Sequence, residues 1–237
     1  MMEGINRLVT GMEQEARKLE IVTNNLANIS TPSFKKVLVE YTGTSESNSA
    51  DNKNAENKNC FMITDFSQGM ITNTNNPADL AIDGDGFFVI ETPSGTRYTR
   101  DGSFKISGDG KLMTYDDNFV LDEQNRPITV GSTKFEVGTN GEIIVNGIKT
   151  AKLKLVSFEK NNRLLKAGHN FYESNGMTEI NASPQVLQGS IESSNVNTMM
   201  EMCNMINIMR KYESYQKMMQ FLNESIQSAN REVGRVS

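Results

Sequence analysis

The sequence predicts an α+β protein in which long helices at the two ends pair as a coiled-coil-like layer around a central antiparallel all-β domain. Three observations carry that reading. Apolar residues step by threes and fours at both ends of the chain, they alternate with period two through the middle, and Asn-Gly and Asp-Gly pairs punctuate the alternating part.

The front seam consists of Ile5, Leu8, Met12, Leu19, Val22, Leu26 and Ile29, with Glu15 as its one polar intruder. This spacing predicts a helix from about Met2 to Ile29. Thr31-Pro32 ends it, because proline disfavours helix at the preceding residue and has no N–H to donate. Asn24, Asn25 and Asn28 are poor helix formers crowded into the last turns. Either the helix frays there, or the amides bond across an interface.

Residues 41–60 are built from Ser, Asn, Thr and Gly with alternating charges. So little apolar surface cannot offset the entropy of ordering, so the segment reads as a flexible polar loop. The β domain is expected over 61–183. Its strands include Leu80–Ile82 and Phe87–Ile90, either side of Asp83-Gly84-Asp85-Gly86, then Thr96–Thr99, Ser103–Ile106 and Lys111–Thr114. Asn140-Gly141 separates Lys134–Val137 from Glu142–Val145, and Asn146-Gly147 separates that strand from Lys152–Phe158. Both residues of such pairs accept positive φ cheaply, which makes them strong hairpin signals.

The back seam runs through Met205, Ile208, Tyr212, Tyr215, Met219, Leu222, Ile226, Ala229, Val233 and Val236. Thr198-x-x-Glu201 is a capping-box signature, with Asn195 and Asn197 as alternative caps. A helix from there to the end is roughly 60 Å long at about 1.5 Å per residue, more than a compact domain needs to complete its own core. The run Met199-Met200-Glu201-Met202-Cys203-Asn204-Met205 suits either gap-filling core or a face that adapts to different neighbours. The chain ends therefore read as two parts of one helical domain, 1–40 and 184–237.

Composition narrows the function. The 237 residues carry a net charge of −5, 37% hydrophobic residues, no Trp and two Cys. Nothing here is a basic footprint for nucleic acid or anionic lipid. Cys60 and Cys203 stand alone, and with one His in the chain no zinc pattern forms. No apolar run is long enough to span a membrane, and Met1–Leu26 is amphipathic rather than a cleavable signal peptide. Asp83-Gly84-Asp85-Gly86 leads into Phe87-Phe88, so neither a calcium loop nor a dinucleotide fingerprint is completed. His169 has no nucleophile in a recognisable context. No enzyme activity, cofactor or metal is expected. Each seam needs a partner helix, which points to assembly.

Specific segments also resemble a known family, the axial proteins of the bacterial flagellum (rod, hook and hook-associated proteins). Asn24-Asn25-Leu26-Ala27-Asn28 followed by Thr31-Pro32-Ser33-Phe34-Lys35 is similar to that family's amino-terminal rod signature, with Pro32-Ser33 where Thr-Gly or Pro-Gly is more usual. Asp79–Phe88 and Tyr98–Phe104 resemble the opening of its central β domain, and Gln188–Asn197 the start of its carboxy-terminal helix. Length and the single small β domain look like a proximal or distal rod protein. The ending Asn230–Arg235 and the Asn-poor first turn tilt the resemblance toward the proximal one. The distal protein is close behind, since 42–59 resembles in its place the extra segment that protein carries after its first helix.

The resemblance implies a structural subunit of the basal-body rod that polymerises by helix–helix packing into the axial drive shaft needed for motility. Its implied partners are other copies of itself, neighbouring rod and hook proteins, and the flagellar type III export apparatus. Location in the basal body, export without a cleavable signal peptide, and no direct membrane insertion follow. The expected assembly interface comprises Ile5, Leu8, Met12, Leu19, Val22, Leu26, Met205, Ile208, Tyr212, Tyr215, Met219, Leu222 and Ile226, with Asn24, Asn25, Asn28 and Asn195 fixing register. A soluble coiled-coil adaptor that closes as a discrete oligomer is the alternative. A β-fold hydrolase with helical flanks lacks a nucleophile–base pair.

Overall fold

A computed structural model describes residues 2–42, 59–131, 134–159, 161 and 164–233. Most of the expected polar loop (43–58) and Val236 lie outside them, as do the side chains of Cys60, Ala229 and Val233. The chain is α+β, with one helix at each end and antiparallel strands between. It divides into two compact units, one of residues 1–27 with 197–237 and one of residues 28–196.

The helical unit contains α1, Met2–Ala27, and α2, Thr198–Val233. α1 stops two residues before the expected Ile29; a turn follows in which Phe34 N donates to Thr31 O and Pro32 is the second residue. Ser33 is the third, with φ of 55°, where such a turn demands the left-handed region. α2 begins at Thr198, and the cap is Asn197, whose Oδ1 accepts from Met200 N at 3.0 Å. The Thr198 capping box is corrected accordingly. An Asn side chain one residue earlier reaches the third helical N–H, so Thr198 is already the first helical residue. As α1 advances from Gly11 to Leu19, the facing residue of α2 steps back from Tyr215 to Tyr212, so the helices run antiparallel.

The β unit is organised on the strand Phe87–Thr92. It pairs with Gly95–Thr99, Phe119–Val120 and Leu155–Ser157, within a nine-stranded antiparallel sheet. Phe88 and Ile90 join one core cluster with Leu80, Ile82, Phe104 and Ile143, while Phe87 and Val89 join another with Tyr98, Val156 and Tyr172. Both faces of this strand are buried, so it reads as an unbroken apolar run rather than an alternation. A three-stranded sheet of Phe135–Val137, Glu142–Val145 and Ile148–Lys152 adjoins. Its second hairpin turns on Asn146 (φ 53°) and Gly147 (φ 79°), the two-residue turn expected from Asn-Gly.

Sequence patterning missed several pairings. Val37–Thr42 and Asn59–Thr64 form an antiparallel ribbon, in register from Val37 opposite Thr64 to Thr42 opposite Asn59. Gln185–Gln188 pairs with Leu80–Asp83, and Ser190–Glu192 with Ile71–Asn73. The expected strand Lys152–Phe158 is two, because the chain passes from Ile148–Lys152 in one sheet to Leu155–Ser157 in another.

Candidate assembly surface

On α2 the heptad steps predict burial almost residue by residue. Met205, Ile208, Tyr212, Tyr215, Met219, Leu222 and Ile226 are half-buried, and apart from Asn204 every other described position from 202 to 228 is exposed. On α1, Ile5, Leu8, Met12, Leu19 and Leu26 are half-buried and Val22 is buried. The stripe is wider here, because Ile21 and Asn25 are buried too. Glu15, the polar intruder, is buried with its carboxylate accepting from Lys18 Nζ at 2.7 Å.

Gly11 belongs to the same seam. A Cβ built there would stand 3.0 Å from Tyr215 Cζ, so the missing side chain is the space that the phenol ring occupies. Further along, Ala16, Leu19, Thr23 and Ala27 with Tyr212 line an open, largely apolar groove on this unit.

α2 keeps a second apolar stripe. Met199, Met202, Ile206 and Met209 follow one another at three- and four-residue steps and are 77%, 46%, 48% and 45% exposed. These values remove the gap-filling reading of Met199, Met200 and Met202. Met218 and Phe221 are exposed as well, on the other flank of the half-buried seam.

Of the four expected register amides, Asn195 is committed within the β unit. Its Oδ1 accepts from Lys36 N at 2.8 Å, and its Nδ2 donates to Asp65 O, Ser67 O and Ser67 Oγ. It braces the segment after α1 rather than offering an amide to a neighbour. Asn25 is buried, Asn24 is exposed, and Asn28 Oδ1 accepts from Thr31 Oγ1 at 3.3 Å.

Beside Asn195 lies a cluster that patterning did not find. Lys35, Arg100 and Glu192 are each 1% exposed. Lys35 Nζ donates to Glu192 Oε1 at 2.6 Å and to Ser67 O at 2.8 Å. Gly69 N donates to the same carboxylate oxygen at 2.7 Å, and Arg100 Nη1 lies 3.8 Å from Oε2 while donating to Gly84 O. Glycine is required at 69, because a Cβ there would fall 2.0 Å from Ser193 O. Ser33 closes the site: its N donates to Glu192 O and its Oγ to Arg100 O, both at 2.8 Å. Burial lowers the pKa of Lys35, with Glu192 opposing the shift and Arg100 adding to it; burial also lowers that of Arg100.

Three family descriptions match the chain: "Flagella basal body rod protein" over residues 5–35, "Flagellar hook protein FlgE/F/G D1 domain" over 81–145, and "Flagellar basal body rod FlgEFG protein C-terminal" over 187–232. The chain is also 32% identical to a flagellar basal-body rod protein FlgF of Caulobacter vibrioides, over 98% of its own length and 99% of the relative's. The chain belongs to the flagellar basal-body rod protein family. Flagellar basal-body rod proteins FlgG of Bacillus subtilis and of Borreliella burgdorferi are each 30% identical to it, over 96% and 97% of this chain. As a rod-family protein it is a structural subunit of the flagellar basal body. Each of the three matched segments contributes one charge of the buried cluster: Lys35, Arg100 and Glu192 in turn. Among the described residues, no helix is long and apolar enough to cross a membrane.

Proposed function

We propose that α1 and α2 form a coiled-coil-like assembly layer through which the rod subunit polymerises, helix against helix, into the axial drive shaft. The carrying observation is that α2 has two apolar stripes. Met205, Ile208, Tyr212, Tyr215, Met219, Leu222 and Ile226 are half-buried, whereas Met199, Met202, Ile206 and Met209 remain exposed. One stripe suits the intramolecular pair. The second suits further copies or neighbouring rod and hook proteins, and flexible methionines tolerate the slightly different neighbours that a helical filament presents. Subunits cross the inner membrane through the flagellar type III export apparatus, without a cleavable signal peptide, and reach the basal body without inserting into the membrane. Within the rod the proximal position fits best, on the ending Asn230–Arg235.

Two substitutions separate pairing from assembly. Leu222→Asp disrupts the helix pair and with it assembly, whereas Ile206→Asp leaves the monomer's helicity intact and abolishes polymerisation and swimming. Motile cells carrying Ile206→Asp at normal protein level sink the proposal. Light scattering that levels off at a small fixed mass as concentration rises favours a discrete adaptor instead.

A further inference from the structure

The two chain segments that adjoin the helices meet inside the β unit. Ser33 N donates to Glu192 O, Lys36 N to Asn195 Oδ1, and Asn195 N to Phe34 O, at 2.8, 2.8 and 3.4 Å. These three bonds, two between backbones and one to a side-chain amide, surround an imbalance of charge. Two cations, Lys35 and Arg100, are fully buried, and among the described residues the one carboxylate buried with them is Glu192. Asp85, 3.9 Å from Arg100 Nη2, is 87% exposed and is therefore screened by water. Buried like charges repel strongly in a medium of low dielectric, and without an adjacent anion Arg100 keeps that cost while Lys35 escapes it only by giving up its proton.

We propose that Glu192 is a charge-neutralising latch: its carboxylate makes the docking of residues 33–36, 67–69 and 192–195 one all-or-none event, so the exit from α1 and the entry to α2 are held or released together. Lys35 and Glu192 are 157 residues apart in sequence, so no local preference couples them. The coupling is the ion pair itself. Until Glu192 arrives, Lys35 enters its site beside Arg100 with no fully buried anion to meet it, only the half-buried Asp65 carboxylate, and it either carries that cost or gives up its proton. Its desolvation then opposes docking of the segment that carries it. The latch goes beyond the assembly role of the helices and does not depend on it.

The test is hydrogen exchange on the full chain carrying Glu192→Gln, which removes the charge and keeps the shape. The amides of Ser33, Lys36 and Asn195 are expected to exchange at least tenfold faster and by a common factor, while Leu121 and Ile128, bonded inside the sheet, hold their wild-type rates. Adding Lys35→Met removes one of the two cations and is expected to slow those three amides again. Acceleration confined to the immediate neighbours of the substituted position, or a double variant that exchanges as fast as the single one, overturns the latch. Should Glu192→Gln not fold, the double variant decides alone: recovery of a folded β unit supports the proposal, and failure to recover overturns it. Neither readout involves polymerisation, so a failed latch leaves the assembly reading untouched, and the converse holds.

Discussion

Gly11 and Tyr215 share one volume: the phenol ring lies where a side chain at residue 11 would begin. Glycine inside a helix costs about 1 kcal/mol relative to alanine, and at residue 11 the ring needs the space. Gly11→Ala is expected to bring no net gain, because crowding against the ring cancels the improved propensity. In a Tyr215→Leu background the same change stabilises by about 1 kcal/mol. Thermal unfolding followed by helical circular dichroism measures both; equal effects in the two backgrounds refute the shared-volume argument.

Ser33 adopts a left-handed conformation that costs a non-glycine residue roughly 1–2 kcal/mol. Its buried hydroxyl offsets part of this through the bond to Arg100 O. Ser33→Ala keeps the strain and loses the bond, for an expected loss of about 1–3 kcal/mol. Ser33→Gly loses the bond and the strain together, so it is expected to be milder by about 1 kcal/mol. Urea midpoints rank the two, and glycine scoring no better than alanine is the adverse result.

Asn197→Ala removes the cap that accepts from Met200 N and is expected to cost about 1 kcal/mol. Thr198→Ala, one residue on, stays within about 0.5 kcal/mol of wild type. Amide exchange over residues 199–201 reads the difference locally. Equal fraying in both variants would return the cap to Thr198.

Burial, and then the 2.6 Å hydrogen bond donated to Glu179, push the Tyr98 phenol up to about 12. The unfolded phenol ionises at about 10, as tyrosine ordinarily does. Between these values the folded chain holds a proton that the unfolded chain has lost, so stability falls as pH rises through the window. The contribution is complete below about pH 10, and solvent screening of the partly buried phenol holds it to about 1–2 kcal/mol. Tyr172, buried and raised for the same first reason, acts in the same direction. Tyr98→Phe should flatten the decline by about one proton in urea melts between about pH 10 and 12. An unchanged slope refutes the assignment.

The helices were legible because burial on α2 follows a repeat that a reader can count: Met205, Ile208, Tyr212 and Tyr215 each fall where three or four residues place them. Hairpins were legible where Asn146-Gly147 supplied the two positive φ values. The ribbon Val37–Thr42 with Asn59–Thr64 was not, because its second strand opens at the edge of a polar tract and its pairing is decided across that tract. The charge cluster was invisible to periodicity for a different reason. Lys35, Arg100 and Glu192 look like solvated charges one at a time, and only the fold brings them together. The signal that could have found them was their position: all three stand inside the segments that carried the family resemblance.

Thr42 and Asn59 sit directly opposite each other in the ribbon, so the polypeptide departs and comes back at a single spot. Lengthening what lies between them leaves the separation of the two anchor points untouched, and each doubling of such a closed tract adds only about 0.6 kcal/mol of closure entropy. The rod subunit thus has a natural graft point, where an epitope or a fluorescent tag can be spliced in while the paired strands keep their register.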